Sequence, residues 1–220
     1  MKLLDSVEVE TGPQPRSSVI WLHGLGADGH DFEAVVPELV RAGERALRFV
    51  LPHAPVQPVT INGAMRMRAW YDIVGFDRDA AQDEAGIRAA AVAIDGLIQR
   101  EIERGVASER IVLAGFSQGG AMALFTGTRA PQKLAGIIGL SCYTLLGATL
   151  AVERSAVNQT TPIFVAHGTR DPVVDVRLGE ETRRMLEEAG YSVTWHRYPI
   201  AHSVSPEELS QIATWLRRVL

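Results

Sequence analysis

The residues Ile111-Val112-Leu113-Ala114-Gly115-Phe116-Ser117-Gln118-Gly119-Gly120 form the stretch that decides the fold. Their apolar half, 111–114, predicts a buried strand, and residues 119–129 have the spacing of a helix. Ser117 thus lies in a strand-to-helix turn, within the pattern G-x-S-x-G. A serine there is presented at a helix N-terminus, whose free N–H groups favour developing negative charge. We predict that Ser117 is a nucleophile; an incidental serine in a glycine-rich turn is the alternative.

Short apolar runs alternate with helical spacing along the rest of the chain. The runs predict strands at 6–10, 19–22, 47–51, 111–114, 135–140, 163–166 and 193–198, the first on an antiparallel edge. Helical spacing covers 31–41, 79–104, 119–129, 175–189 and 206–220, and Ser205-Pro206 is a typical helix start. The order predicts an α/β fold: one domain over residues 1–220, with a mostly parallel central sheet and helices on both faces.

The connection 52–79 is long for a compact domain and holds three prolines and Trp70-Tyr71. Connections of this length are commonly functional. We interpret it as a loop over the active site, and the alternative is an irregular segment that completes the core.

The composition of the 220 residues excludes several classes of protein. Apolar residues make up 46% and charged residues 22%, a globular balance, and no apolar run approaches the ~18 residues of a membrane span. A net charge of −4 without a long basic run indicates neither a nucleic-acid partner nor stable membrane insertion. Cys142 is the only cysteine, which excludes a cysteine-based metal cluster and, with no export signal visible, favours the cytoplasm. We expect a small-molecule or acyl substrate.

A serine hydroxyl needs a base, and after a G-x-S-x-G serine the partners follow in the order acid, then histidine. Three of the six histidines precede Ser117 and are excluded by that order. His167 directly follows a predicted strand, but no acid lies at a strand end before it. His196 lies inside a strand, which fixes its side chain on one sheet face. His202, in the loop before the last helix, is the predicted base.

Asp171 lies in the loop after the predicted strand 163–166 and is the predicted acid. Asp175 is nearby but better fits the N-cap of the following helix. The alternative role for Asp171 is that of a turn residue before Pro172. Ser117, Asp171 and His202 all lie beyond the carboxyl ends of strands, where open α/β sheets place their ligands.

The loop Gly24-Leu25-Gly26-Ala27-Asp28-Gly29 allows two interpretations. It fits the G-x-G-x-x-G pattern of dinucleotide sites, but the next strand ends in Pro52-His53 rather than in the acid that would hold the ribose. In a hydrolase the loop would supply a backbone N–H to an oxyanion, and the residue after the nucleophile would supply a second. This assigns the N–H groups of Leu25 and Gln118 to an oxyanion hole, with a simple glycine-rich turn as the alternative.

These motifs resemble one known family, the carboxylesterase, lysophospholipase and acyl-protein thioesterase group of small α/β-hydrolases. The resemblance covers nearly the whole chain and is carried by the segments 21–29, 69–73, 115–120 and 167–174. It implies the α/β-hydrolase fold, no metal and no cofactor, frequent homodimers, and the same triad and oxyanion donors. It also implies a lid-like loop around Trp70 and an acyl pocket touched by Leu25 and Val173. These three are the candidate substrate-binding residues, although ordinary burial preferences would place Trp70 and Val173 in the core.

Two positions depart from the family pattern, since Ala201 precedes His202 where glycine is usual and Ala64 replaces a common glycine. Neither changes the expected reaction, which is hydrolysis of short- to medium-chain carboxylic esters, lysophospholipids or acyl thioesters through an acyl-serine. Two alternatives stay open at this point. One is an NAD(P)-dependent oxidoreductase that uses the Gly24–Gly29 loop, and the other is a non-catalytic binding module on a hydrolase fold.

Overall fold

The computed structural model describes residues 3–40, 45–75 and 81–220. Its strands are β1 (Ser6–Glu10), β2 (Ser18–Leu22), β3 (Arg48–Pro52), β4 (Val56–Val59), β5 (Met65–Arg68), β6 (Ile111–Phe116), β7 (Gly136–Leu140), β8 (Ile163–Gly168) and β9 (Val193–Tyr198). Its helices are α1 (Val36–Leu39), α2 (Glu84–Glu103), α3 (Gln118–Arg129), α4 (Leu150–Glu153), α5 (Val176–Glu188) and α6 (Pro206–Val219).

Seven strands form one sheet in the order β1-β3-β2-β6-β7-β8-β9. β1 pairs with β3 in antiparallel fashion, and every other neighbouring pair is parallel. The predicted α/β architecture and the antiparallel edge strand are therefore confirmed. The parallel strands direct their carboxyl ends to one edge of the sheet, where functional loops gather.

The sheet separates two apolar cores because successive strand residues point to opposite faces. In β2, Ile20 and Leu22 belong to the core beneath α2 and α3, whereas Val19 and Trp21 belong to the core beneath α1 and α6. Helices thus cover both faces of one domain, as the sequence predicts.

Two predicted helices are shorter than the sequence indicates. Within the predicted helix 31–41, a single 3-10 turn precedes α1, which ends where Val40 takes an extended conformation; residue 41 lies outside the described residues. Pro37 explains the late start, because proline lacks an N–H and fits only the first turn of a helix. The predicted helix 79–104 begins at Glu84, because the Asp83 side chain caps the N–H of Gly86; residues 79 and 80 lie outside the described part.

The long connection after β3 contains regular structure, which differs from the interpretation of it as an irregular segment. It contains the antiparallel hairpin β4–β5, whose register pairs Val56 with Arg68 and Val59 with Met65. Residues 69–71 then return to the core, and residues 76–79 lie outside the described part of the chain. An alternating strand pattern is hard to recognise in 56–59 and 65–68 because both short strands are largely exposed and carry polar residues.

Candidate active site

Ser117 occupies the turn between β6 and α3 with a strained backbone. Its φ is 55° and its ψ is −123°, in a region that residues with a Cβ rarely adopt. The flanking glycines make this turn possible. A Cβ on Gly119 would lie 2.2 Å from the Leu22 carbonyl oxygen, and one on Gly115 would lie 2.3 Å from the backbone of Gly119. The G-x-S-x-G pattern thus forms the tight turn that the sequence predicts.

The structure brings the three predicted side chains into one hydrogen-bonded row. His202 Nδ1 lies 2.7 Å from Asp171 Oδ2, and His202 Nε2 lies 2.9 Å from Ser117 Oγ. A carboxylate oxygen accepts, so His202 donates from Nδ1 and keeps a lone pair on Nε2 for the serine proton. The imidazole also lies against the Phe116 ring, with 4.7 Å between ring centroids. This geometry allows Ser117 to lose its proton as it attacks a carbonyl.

Asp171 is held by the loop that follows β8. Its side chain is fully buried, and Oδ1 accepts hydrogen bonds from the backbone N–H of Val173 (2.8 Å) and of Val174 (2.9 Å). Asp175 instead caps α5 by accepting from the Arg177 N–H, and hydrogen bonds from Arg177 lower the pKa of Asp175 to about 2. The structure therefore places Asp171, not Asp175, beside His202.

The two predicted oxyanion donors border the same cavity as Ser117. Within the described residues, the backbone N–H groups of Leu25 and Gln118 donate to no other protein group, and both residues line the cavity. A Cβ on Gly24 would lie 3.4 Å from the Ser117 Cβ, which shows how closely the loop passes the serine. Free N–H groups at such a position can stabilise a developing oxyanion.

His23 fixes this loop through two hydrogen bonds. The sequence reasoning missed this role. Its Nε2 accepts from the Ala54 N–H at 3.0 Å, so its Nδ1 carries the proton and donates to the Gly24 carbonyl at 2.7 Å. Burial lowers the pKa of His23, which favours this neutral tautomer. Its position directly before Gly24 was the only available signal in the sequence.

Trp70 is not a wall of the cavity over Ser117, so its assignment as a substrate-binding residue needs correction. Its side chain is 2% exposed and donates from Nε1 to the His23 carbonyl at 2.9 Å. The Gln118 side chain accepts from the Trp70 N–H at 2.9 Å and donates to the Tyr71 carbonyl at 2.8 Å. The segment around Trp70 therefore supports the serine turn and the Gly24 loop from the core side.

A cavity of about 220 Å³ opens over Ser117 and His202. Leu25 and Val173 line it, as the resemblance implies, and Val173 is 47% exposed at its edge. Ile73 and Tyr143 also line a second cavity of about 480 Å³, which extends toward α5. Ile73 belongs to the connection 52–79, so that connection reaches the active site even though its residues 69–71 are buried in the core.

Two tyrosine hydroxyls meet where the cavities adjoin. Tyr71 and Tyr143 lie 2.9 Å apart at their hydroxyl oxygens, and burial raises the pKa of both groups. Both residues line the second cavity. The lining combines apolar side chains, among them Leu178 and Met185, with polar ones that include Asp72, Gln82 and Glu181.

The Gly24–Gly29 loop lacks the helix that a dinucleotide site requires. Residues 25–32 form turns and lead to a 3-10 turn at Glu33–Val35 and the four-residue helix α1, whereas a pyrophosphate site uses the N-terminus of a longer helix that begins at the glycines. Among residues 3–40, 45–75 and 81–220, no three His, Cys, Asp or Glu side chains are grouped to hold a metal ion. In the same residues no helix is long and apolar enough to span a membrane.

Comparison with known proteins identifies the family. A sequence model of the phospholipase/carboxylesterase family matches residues 4–220. The chain belongs to the phospholipase/carboxylesterase family. Among family relatives, acyl-protein thioesterase 1 of Neurospora crassa is 47% identical over 91% of this chain and 85% of its own length. Acyl-protein thioesterase 1 of Gibberella zeae is 41% identical over 94% of this chain and 92% of its own.

Solved structures of similar proteins agree with the fold. Arabidopsis thaliana SOBER1 superimposes with a TM-score of 0.87 at 30% identity, covering 93% of this chain and 99% of its own. Zea mays acyl-protein thioesterase 2 gives a TM-score of 0.85 at 26% identity, covering 98% and 99%. The chain is a serine ester hydrolase, and neither the oxidoreductase nor the binding-module alternative is supported.

Proposed function

We propose that the chain hydrolyses acyl thioesters and short- to medium-chain carboxylic esters through an acyl-serine at Ser117. The observation that carries this proposal is the unbroken row Asp171–His202–Ser117, which faces a cavity bordered by two free backbone N–H groups. The similarity to acyl-protein thioesterases supports the thioester as a substrate.

The proposed reaction has two steps. Ser117 Oγ attacks the carbonyl carbon while His202 Nε2 takes its proton, and the N–H groups of Leu25 and Gln118 stabilise the oxyanion. Asp171 orients the imidazole and stabilises its charged form. His202 then protonates the leaving alcohol or thiol, which departs as the acyl-serine forms. Water attacks the acyl-serine after giving a proton to His202, and the acid leaves as Ser117 regains its proton.

We place the acyl chain between Leu25 and Val173, with longer chains continuing past Ile73 and Tyr143 into the second cavity. The apolar parts of these side chains border both spaces. Contact with each further methylene contributes about 0.8 kcal/mol. We therefore expect kcat/KM to rise with acyl length until the two cavities are filled.

A rate series over p-nitrophenyl esters of increasing acyl length, run beside an acyl-CoA thioester, tests this proposal. Ser117→Ala should lose at least about a thousandfold in kcat on both substrates. Ser210→Ala, an exposed serine on α6, is the matched control and should keep full activity. A Ser117→Ala variant with wild-type turnover would refute the mechanism, and ester activity without thioester activity would refute the thioesterase proposal.

The position of the acyl chain has a separate test. Val173→Trp should narrow the cavity and lower kcat/KM for an octanoyl ester about tenfold, because one or two kcal/mol of apolar contact are lost. The acetyl ester should change less than twofold. Val152→Trp, at an 88% exposed valine on α4, is the matched control. Equal losses on both esters would place the acyl chain elsewhere.

Two further expectations accompany this function. We propose a cytoplasmic location, which the single buried and unpaired Cys142 supports, because disulfides are rare in reducing compartments. A homodimer stays a prediction from the family resemblance, and light scattering of the purified protein measures it.

A further inference from the structure

His167 lies beside the Asp171 carboxylate and has no part in the steps above. It is the penultimate residue of β8, inside the strand rather than after it as the sequence suggests, because Gly168 still pairs with Tyr198. Its side chain is completely buried. His167 Nε2 lies 2.9 Å from the Val174 carbonyl oxygen, which can only accept, so the ring donates from Nε2. Burial lowers the pKa of His167 and favours this neutral form.

The peptide group that His167 fixes belongs to the loop that holds the Asp171 carboxylate. Val174 accepts from His167 through its carbonyl and donates to Asp171 Oδ1 through its N–H at 2.9 Å. The same His167 Nε2 lies 3.6 Å from Asp171 Oδ2, the oxygen that accepts from His202. A shift of this ring would therefore displace both carboxylate oxygens.

The backbone of α5 packs against the Nδ1 side of the His167 ring. A Cβ on Gly179 would lie 2.3 Å from His167 Nδ1, so the helix backbone packs directly on the imidazole. In the described part of the chain Nδ1 is buried and has no hydrogen-bond partner. A buried polar atom without a partner costs about 1–3 kcal/mol, which an apolar residue at this position would avoid. Because this chain has a histidine here despite that cost, a functional role for the Nε2 contact is the explanation that we pursue.

We propose that His167 is a positioning residue for ester hydrolysis. Its neutral imidazole, clamped between α5 and the loop 171–174, orients the Asp171 carboxylate toward His202. This inference rests on the proposed function only in taking Asp171 as the acid of the triad. His167 itself touches neither Ser117 nor the cavity over it.

Two substitutions of different reach test the proposal. The amide nitrogen of His167→Gln can occupy the place of Nε2 and donate to Val174, whereas that of His167→Asn reaches only the place of Nδ1. We expect His167→Gln to keep kcat within about threefold and His167→Asn to lose about 10- to 100-fold, the cost of a small misplacement of a catalytic group. KM should change less than twofold in both. Equal and full activity of the two variants would overturn the proposal.

A double-mutant cycle separates positioning from general damage to the fold. In an Asp171→Asn background, His167→Asn should lower kcat less than twofold, because the group on which it acts is already removed. The same loss in both backgrounds would overturn the proposal. Full activity of Asp171→Asn alone would instead refute the triad assignment, so the two failures are distinguishable.

Gly179→Ala provides a second variant if His167→Asn does not fold. It displaces the ring from the α5 side while keeping every polar group, and alanine is the better helix former. We expect a loss of kcat that disappears in the Asp171→Asn background, measured on protein whose circular dichroism matches the wild type. Unchanged kcat in folded Gly179→Ala would overturn the proposal.

Discussion

The strain at Ser117 predicts that the inactive variant Ser117→Gly is more stable than the inactive variant Ser117→Ala. Both remove the hydroxyl and its hydrogen bond with His202, so neither has a catalytic advantage over the other. They differ only in the Cβ, which alanine keeps at a φ of 55° and glycine lacks. The comparison therefore isolates the conformational cost of the turn.

The expected difference follows from two opposing contributions. A residue with a Cβ in such a conformation costs about 1–3 kcal/mol, which glycine avoids. Glycine, however, gives the unfolded chain more conformational freedom, which lowers the free energy of unfolding by about 0.4–1 kcal/mol. The net result is a free energy of unfolding about 1 kcal/mol higher for Ser117→Gly, or a Tm higher by about 2–4 °C for a chain of this size.

Urea denaturation followed by tryptophan fluorescence measures this difference. Ala89→Gly is the matched control, since Ala89 is exposed within α2 and has ordinary helical geometry. There the same loss of a Cβ should lower the free energy of unfolding by about 1 kcal/mol. If Ser117→Gly proves less stable than Ser117→Ala, the turn is not strained and the reasoning about the glycine pattern fails.

Three more predictions concern stability. Gln118→Ala leaves the buried N–H of Trp70 and the buried carbonyl of Tyr71 without their partners. The free energy of unfolding measured in urea should therefore fall by about 2–5 kcal/mol. The control Gln99→Ala, at an exposed glutamine, should change it by less than about 0.5 kcal/mol. Burial raises the pKa of Glu208 from 4.5 to about 7 in the folded protein, so the folded state binds the proton more tightly and stability falls between pH 4.5 and 7. Glu208→Gln should remove that fall and be up to about 3 kcal/mol more stable at pH 8, and equal pH slopes for both proteins would contradict this. Ala64 has a φ of 60°, so Ala64→Gly should raise the Tm by about 1–3 °C, and a lower Tm would contradict the argument.

The elements that enclose the site were predictable because each leaves a local pattern. Buried strands such as β6 are continuous apolar runs, and α6 begins at a serine cap followed by proline. Ser117, Asp171 and His202 follow strands of such a sheet, so topology alone brings them to one edge. The order of acid and histidine then restricts the choice among several candidates.

What the sequence did not predict depends on contacts between distant segments. The hydrogen bonds of Trp70 join it to His23 and Gln118, which lie 47 and 48 residues away in the sequence. The roles of His23 and His167 depend on which carbonyl each ring meets, and periodicity carries no information about that. The hairpin β4–β5 is exposed, so hydrophobic alternation did not reveal it.

Covalent labelling of the nucleophile tests the central claim most directly. An activated serine attacks the phosphorus of a fluorophosphonate and displaces fluoride, and peptide mass spectrometry of the labelled protein locates the phosphonyl adduct. We predict one adduct, on the peptide that contains Ser117, and none on Ser117→Ala. An adduct on another residue, or an unlabelled wild-type protein that still hydrolyses esters, would contradict the account.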